Sequence, residues 1–178
     1  MIRVASTGTL APVNAALRLA RLVTRTARGL APGLACPDDA FAEARLAGAE
    51  LAAYLAMDPR DRDHACRVAR RLLAAAPGAE SAWVRAALLH DVGKAVGRYR
   101  LWERVLVHVW TPDEALAGRF PVALAEAWGR HRDHAVLGAA RLAAAGVDPR
   151  VVELVARHHD PPGADEALRR LAAADEGA

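Results

Sequence analysis

The stretch ALLHDVGK, residues 87–94, decides how this chain is read. It begins as a good helix former, yet it closes on histidine, aspartate, glycine and lysine within five positions. Neighbouring side chains on a helix diverge by about 100°, so His90 and Asp91 point in different directions. Such a pair can serve two metal ions, with Asp91 bridging through both carboxylate oxygens. Gly93 lets the backbone turn sharply just after the pair. Lys94 is the only lysine in the chain; the other 23 of the 24 basic residues are arginine.

Outward from this stretch the chain reads as helices, with none of the period-two alternation of β-branched residues that marks strands. Upstream, Pro32, Gly33 and Pro37 break the chain, and Asp38 or Asp39 caps a helix expected to run to about residue 56. A second helix follows Pro59, carries His64 with Val68, Leu72 and Leu73, and stops at Pro77-Gly78. Ser81 is the expected N-cap of the helix that ends in His90. Downstream, a helix is expected over about 98–109. Thr111, Pro112 and Glu114 have capping-box spacing. Two helices are expected over 120–128 and 131–145, the second closed by Gly146. Asp148-Pro149 opens the next helix, which runs to His158-His159-Asp160, and a last one spans about 165–174. The expected fold is an all-α, compact helical bundle over residues 38–178, preceded by an N-terminal arginine-rich helix or appendage over residues 1–37.

Composition narrows the function classes. The chain is 53% hydrophobic but only 4% aromatic, so much of its apolar content is alanine. The formal net charge of +3 is unevenly placed. Arg3, Arg18, Arg21, Arg25 and Arg28 lie in residues 1–37, which hold no acid; the remainder has 19 basic against 21 acidic residues, a net of −2. The body of the protein therefore has no electrostatic footprint for nucleic acid. Residues 1–37 lack the long apolar run of a signal peptide or membrane span. An ordinary surface helix is expected over 12–28; an organellar transit segment and an amphipathic helix on an anionic membrane or a protein partner are the alternatives. Cys36 and Cys66 form no disulfide framework, which fits a reducing, cytoplasmic setting with both thiols small and at least half buried.

The chemistry lies with the histidines, of which there are seven. Neutral imidazole is the commonest transition-metal ligand, carboxylates join it for harder ions, and a bundle can assemble a site from inward-facing residues on several helices. DHACRVARRLL (63–73) places His64 on an amphipathic helix. HAVLGAARLAAAG (134–146) opens with a histidine, LVARHHD (154–160) ends in a His-His pair, and RRLAAADE (169–176) holds Asp175. His131 competes with His134, because residues three apart share a helix face. Either of His158 and His159 also suits a helix C-terminus, where a cation meets the dipole. His108 fits no pattern.

The order of these pieces resembles the HD superfamily of metal-dependent phosphohydrolases, named for its His-Asp pair, over roughly residues 58–175. HDVGK looks like the family's HD-x-GK form, His64 matches its first histidine and Asp175 its closing aspartate. The extended, two-metal branch adds a histidine before an xxxG element, matched by His134 with Gly138, and a His-His pair, matched by His158-His159. MDPRDRDH (57–64) further resembles short bacterial HD proteins that begin with a basic helix. The resemblance implies a first metal held by His64, His90, Asp91 and Asp175, and a second held by His134, His158 and His159, with Asp91 bridging. One or two divalent transition-metal ions are implied, Fe or Mn favoured by the mixed donors. Asp91 and Lys94 are the implied catalytic residues, Lys94 at the rim of the site and meeting substrate phosphate. The implied activity is hydrolysis of a small phosphate ester, such as a nucleotide mono- or diester, by metal-activated water. The alternatives are a non-catalytic regulatory or interaction module and a mixed-valent di-iron oxygenase. HHDPPGADE (158–166) lacks the Gly-Tyr-Pro element of cyclic-diguanylate phosphodiesterases. Val92, Gly93 and Lys94 replace the acidic pair usual in guanosine-tetraphosphate hydrolases. Both of those substrates are disfavoured.

Overall fold

The computed structural model describes residues 35–95, 112 and 120–178. The expected basic helix over 12–28, the helix over 98–109 with His108, and the 111–114 cap lie outside the described residues. Among the described residues there are seven α-helices, one 3₁₀ turn and no strand: α1 (Asp39–Glu43), α2 (Gly48–Leu55), α3 (Pro59–Ala75), α4 (Ser81–Leu89), the turn (Val92–Ala95), α5 (Val122–Ala144), α6 (Pro149–Arg157) and α7 (Glu166–Gly177). This is the all-α bundle expected from the sequence. No helix among the described residues is long and apolar enough to cross a membrane.

The helix α4 lies at the centre. Val84, Ala86, Ala87, Leu88 and Leu89 are all buried. The helix α3 packs on one side of it and α6 on the other; α7 lies against α3, and α5 against both α6 and the 3₁₀ turn. Val68 and Leu72 of α3, Leu142 of α5, Val151, Leu154 and Val155 of α6, and Leu168 and Leu171 of α7 fill one core around it. A short run such as α4 is marginal as an isolated helix and depends on this packing. Leu124, Ala127 and Trp128 form a smaller cluster with Phe120.

Caps set most of the boundaries. Asp58, Asp148 and Asp165 each accept a backbone N–H from the first turn of the helix they precede. At the end of α5, Gly146 has φ +73°. Its N–H donates to the Ala143 carbonyl at 3.0 Å, and the Val147 N–H donates to Leu142 at 3.1 Å. This is a Schellman closure, in which the left-handed residue is glycine because a Cβ would be penalised. The fork of Arg85 spans Glu50 at 3.0–3.1 Å and reaches Asp148 at 3.3 Å, tying α2, α4 and the start of α6.

Four expectations require correction. The helix expected from Asp38 to about residue 56 is two helices: Ala47 is extended, and Gly48 re-enters with φ +53°, while Leu46 is buried between them. Ser81 does not cap α4. Glu80 holds the cap position without a side-chain bond, and Ser81 is already helical. The two helices expected over 120–145 are one. Gly129 interrupts nothing, because one interior glycine costs about 1 kcal/mol while Leu124, Ala127 and Trp128 before it and Ala135, Ala139 and Leu142 after it are buried. Cys36 is exposed, and only Cys66 is buried.

The Asp165 carboxylate accepts from the Ala167 and Leu168 N–H groups at 3.0 and 3.3 Å and from Arg150 at 3.1 Å. Asp165→Ala should therefore lower unfolding stability by about 1 kcal/mol, read from urea denaturation, with the helical circular dichroism signal kept.

Candidate metal centre

Five helices deliver the seven sequence-predicted donors to one place. His64 comes from the second turn of α3. His90 is the C-cap residue of α4, with Asp91 directly after it. His134 lies midway along α5, His158 is the C-cap residue of α6 with His159 after it, and Asp175 sits in the last turn of α7. Two compact groups form: His64, His90 and Asp175, and His134, His158 and His159. Within each, one ligand atom per residue lies within 4.8 Å of the others. The His90 ring stands between the groups, 5.4 Å from the His64 ring and 5.2 Å from the His158 ring.

Asp91 joins them. Its Oδ2 faces the first group, 3.5 Å from His90 Nε2, and its Oδ1 faces the second, 3.3 Å from His134 Nε2. His64 Nε2 lies 2.8 Å from Asp175 Oδ1. In the second group, His134 Nε2 is 3.3 Å from His158 Nε2 and 3.1 Å from His159 Nε2. His90, Asp91, His134 and His158 are buried. His159 is exposed, so the centre opens to solvent on its side.

The close approach that places Asp91 depends on two glycines. A methyl group added to Gly93 would stand 2.7 Å from the His134 carbonyl carbon and 2.8 Å from the Gly138 nitrogen. One added to Gly138 would stand 2.9 Å from the Gly93 nitrogen. The 3₁₀ turn thus lies backbone to backbone on α5, one helical turn beyond His134. Gly93 was expected to supply a sharp turn. It has no positive φ, and its value is the missing Cβ.

Histidine orientation is fixed from behind. His90 Nδ1 donates to the Ala87 carbonyl at 2.9 Å, His134 Nδ1 to that of His131 at 2.6 Å, and His158 Nδ1 to that of Val155 at 2.7 Å. In each case the acceptor is the carbonyl three residues earlier in the same helix. With Nδ1 carrying the proton, neutral imidazole presents a bare lone pair at Nε2, the form a metal needs. His134 and His158 then face each other lone pair to lone pair at 3.3 Å, a contact that no hydrogen bond between neutral rings can satisfy. His90 Nε2 is buried without a hydrogen-bond partner. A cation between these atoms resolves both, so the residues present fit divalent metal. His131 contributes its backbone carbonyl, and its ring belongs to neither group.

Charge states agree with that fit. Burial, reinforced by His90 and His159, lowers His158 to about 3. Burial likewise lowers His64, against the pull of Asp175, and lowers His159. For Asp91 burial opposes ionisation most strongly, but the Lys94 ammonium and His90 outweigh it and hold the carboxyl well below its usual range. Asp175 is lowered in the same way, burial being outweighed by His64 and His90. Neutral histidines beside ionised carboxylates are what metal coordination requires.

Lys94 is closer to the centre than its expected place at the rim. Its Nζ donates to Asp91 Oδ2 at 2.8 Å, with the side chain only 15% exposed. Three contributors escaped the reading of the sequence. Asp61 is buried one helical turn before His64, and its charge acts on Lys94; in DPRDRDH nothing distinguishes it from the surface acids beside it. Arg67 donates to the Ala178 carbonyl, and the Arg71 guanidinium lies against Gly177, so α3 holds the end of α7 that carries Asp175. Both arginines read as an ordinary solvated face.

An all-α bundle whose helix ends converge on histidine and aspartate donors defines a class of protein built around a His-Asp centre. The HD domain family model matches residues 41–176, and the chain belongs to that family, whose members are generally metal-dependent hydrolases. No curated protein and no solved structure matches it.

Two outcomes test this geometry. Gly93→Ala should cost about 2–3 kcal/mol through overpacking, measured by urea denaturation. In metal-free protein, the unfolded chain protonates His158 near 6.5 and the folded chain only near 3. Its stabilising contribution is therefore present above 6.5 and lost as pH falls, amounting to about 2 kcal/mol between pH 7.5 and 5.0. Urea midpoints across that range should fall, and His158→Gln should flatten the slope.

Proposed function

We propose that the protein is a metal-dependent phosphohydrolase acting on a small phosphate ester, such as a nucleotide mono- or diester. The observation that carries this reading is the splayed Asp91 carboxylate, with one oxygen toward each donor group. His64, His90, Asp91 and Asp175 would hold one divalent ion and Asp91, His134, His158 and His159 a second, Fe or Mn suiting the mixed donors. Bound there, such ions supply Lewis acidity toward phosphate oxygens and lower the pKa of water into the neutral range.

The chain's own residues do the rest. The carbonyls of Ala87, His131 and Val155 keep three imidazoles aimed inward, which avoids reorganisation during reaction. Burial of His90, Asp91, His134 and His158 excludes bulk water from the inner side. A phosphate group would enter from the exposed side of His159, and Lys94, once released from Asp91, would offer a compact ammonium to a phosphate oxygen. The arginine-rich segment 1–37 would add a contact to an anionic membrane or a protein.

The test is metal content by mass spectrometry on purified protein, then assays with Mn²⁺ or Fe²⁺ against panels of phosphomonoesters and phosphodiesters. Wild-type protein should bind metal and turn over at least one ester class. His90→Ala should lose both with its fold retained. Failure of folded wild-type protein to bind any transition metal would end this reading. Binding without turnover or oxygen consumption would favour a regulatory module.

A further inference from the structure

The Asp91 oxygen that faces the first donor group is already engaged. Lys94 Nζ lies 2.8 Å from Oδ2, and the same oxygen is 3.5 Å from His90 Nε2. His90 Nε2 is in turn 3.9 Å from Asp175 Oδ1, which His64 approaches at 2.8 Å. We propose that Lys94 is a built-in counter-charge that occupies the cation position on Asp91, and that the first divalent ion must displace it.

Three features support this. The pair is enclosed, with Asp91 at 3% and Lys94 at 15% side-chain exposure, so water screens it little. A buried carboxylate left without a partner is strongly destabilising, and the metal-free fold supplies that partner from three residues along the same turn. The Lys94 N–H also donates to the Asp91 carbonyl at 2.9 Å, which fixes the reach of the side chain. An ammonium and a divalent ion on the same oxygen repel each other and compete for its charge in this poorly screened position. Asp91, Asp61 and Asp175 all act electrostatically on the ammonium. Asp61 and Asp175 therefore keep the displaced charge close to the centre instead of releasing it to bulk solvent. Metal loading would in this way free the ammonium that the hydrolytic reading assigns to substrate phosphate, and the inference rests on that reading of the seven donors as a metal site.

The experiment uses the full chain, freed of metal by chelation. Lys94 is the only lysine, so ¹⁵N-lysine labelling gives one Nζ signal in wild-type protein. That signal should shift on saturation with diamagnetic Zn²⁺. In parallel, Zn²⁺ affinity is measured by competition with a fluorescent chelator. Lys94→Met should bind the first ion about tenfold more tightly, melt at lower temperature without metal, and gain more in Tm from metal than wild type does. Lys94→Arg, which keeps the charge, should retain wild-type affinity. A lysine signal unmoved in Zn²⁺-saturated wild-type protein overturns the proposal, as does a folded Lys94→Met variant with unchanged or weaker affinity. If wild-type protein binds no divalent ion, the metal-site reading fails with it, a result distinct from binding that leaves Lys94 in place.

Discussion

The backbone contact between Gly93 and Gly138 governs the centre. A 3₁₀ turn can lie directly on a helix only where neither carries a Cβ, and here both surfaces are glycine. The contact falls one turn beyond His134, so it sets how far Asp91 reaches across α5. Without it, the first donor group would still form from α3, α4 and α7, and the second from α5 and α6. The carboxylate that faces both would be drawn back from one of them. The same contact holds Lys94, three residues past Asp91, in reach of Asp91 Oδ2.

A second layer of control comes from helix ends. His90 and His158 are both C-cap residues, where a side chain can bend back to a carbonyl that the helix leaves without an intrahelical partner. Each ring uses that carbonyl to hold its Nδ1 proton, which turns Nε2 inward as a bare donor. One orphaned acceptor is satisfied and one ligand is oriented by the same bond. Burial completes the preparation: it lowers His64, His158 and His159, while the Lys94 ammonium helps keep Asp91 ionised. The centre is thus arranged for cations in geometry and in protonation.

Much of this was legible in the sequence, and the reason is local. Helices appear as apolar periodicity, and their starts as Asp-Pro or Asp caps; Asp58-Pro59 and Asp148-Pro149 mark α3 and α6 where they begin. The misreadings fall where local signals and packing disagree. Gly129 resembles a break but lies in a helix whose buried positions on either side carry it through. The stretch 38–56 resembles one helix because nothing local announces that Leu46 must be buried, which forces the chain to bend at Ala47 and Gly48. Asp61, Arg67 and Arg71 look like solvated charges because their partners lie on α7 or on the turn after α4, far away along the chain.

The amino-acid order alone points to an all-helical fold, picks out the candidate donor residues and groups them by the helices that bear them, since each of these follows from residue type and short-range spacing. It cannot show that Asp91 divides its oxygens between two groups, that three histidines are aimed by carbonyls behind them, or that Lys94 sits on Asp91 and not at the rim. Those depend on distances between helices. Such distances are set by which side chains are absent at a crossing, as at Gly93 and Gly138, and by how the core packs around α4.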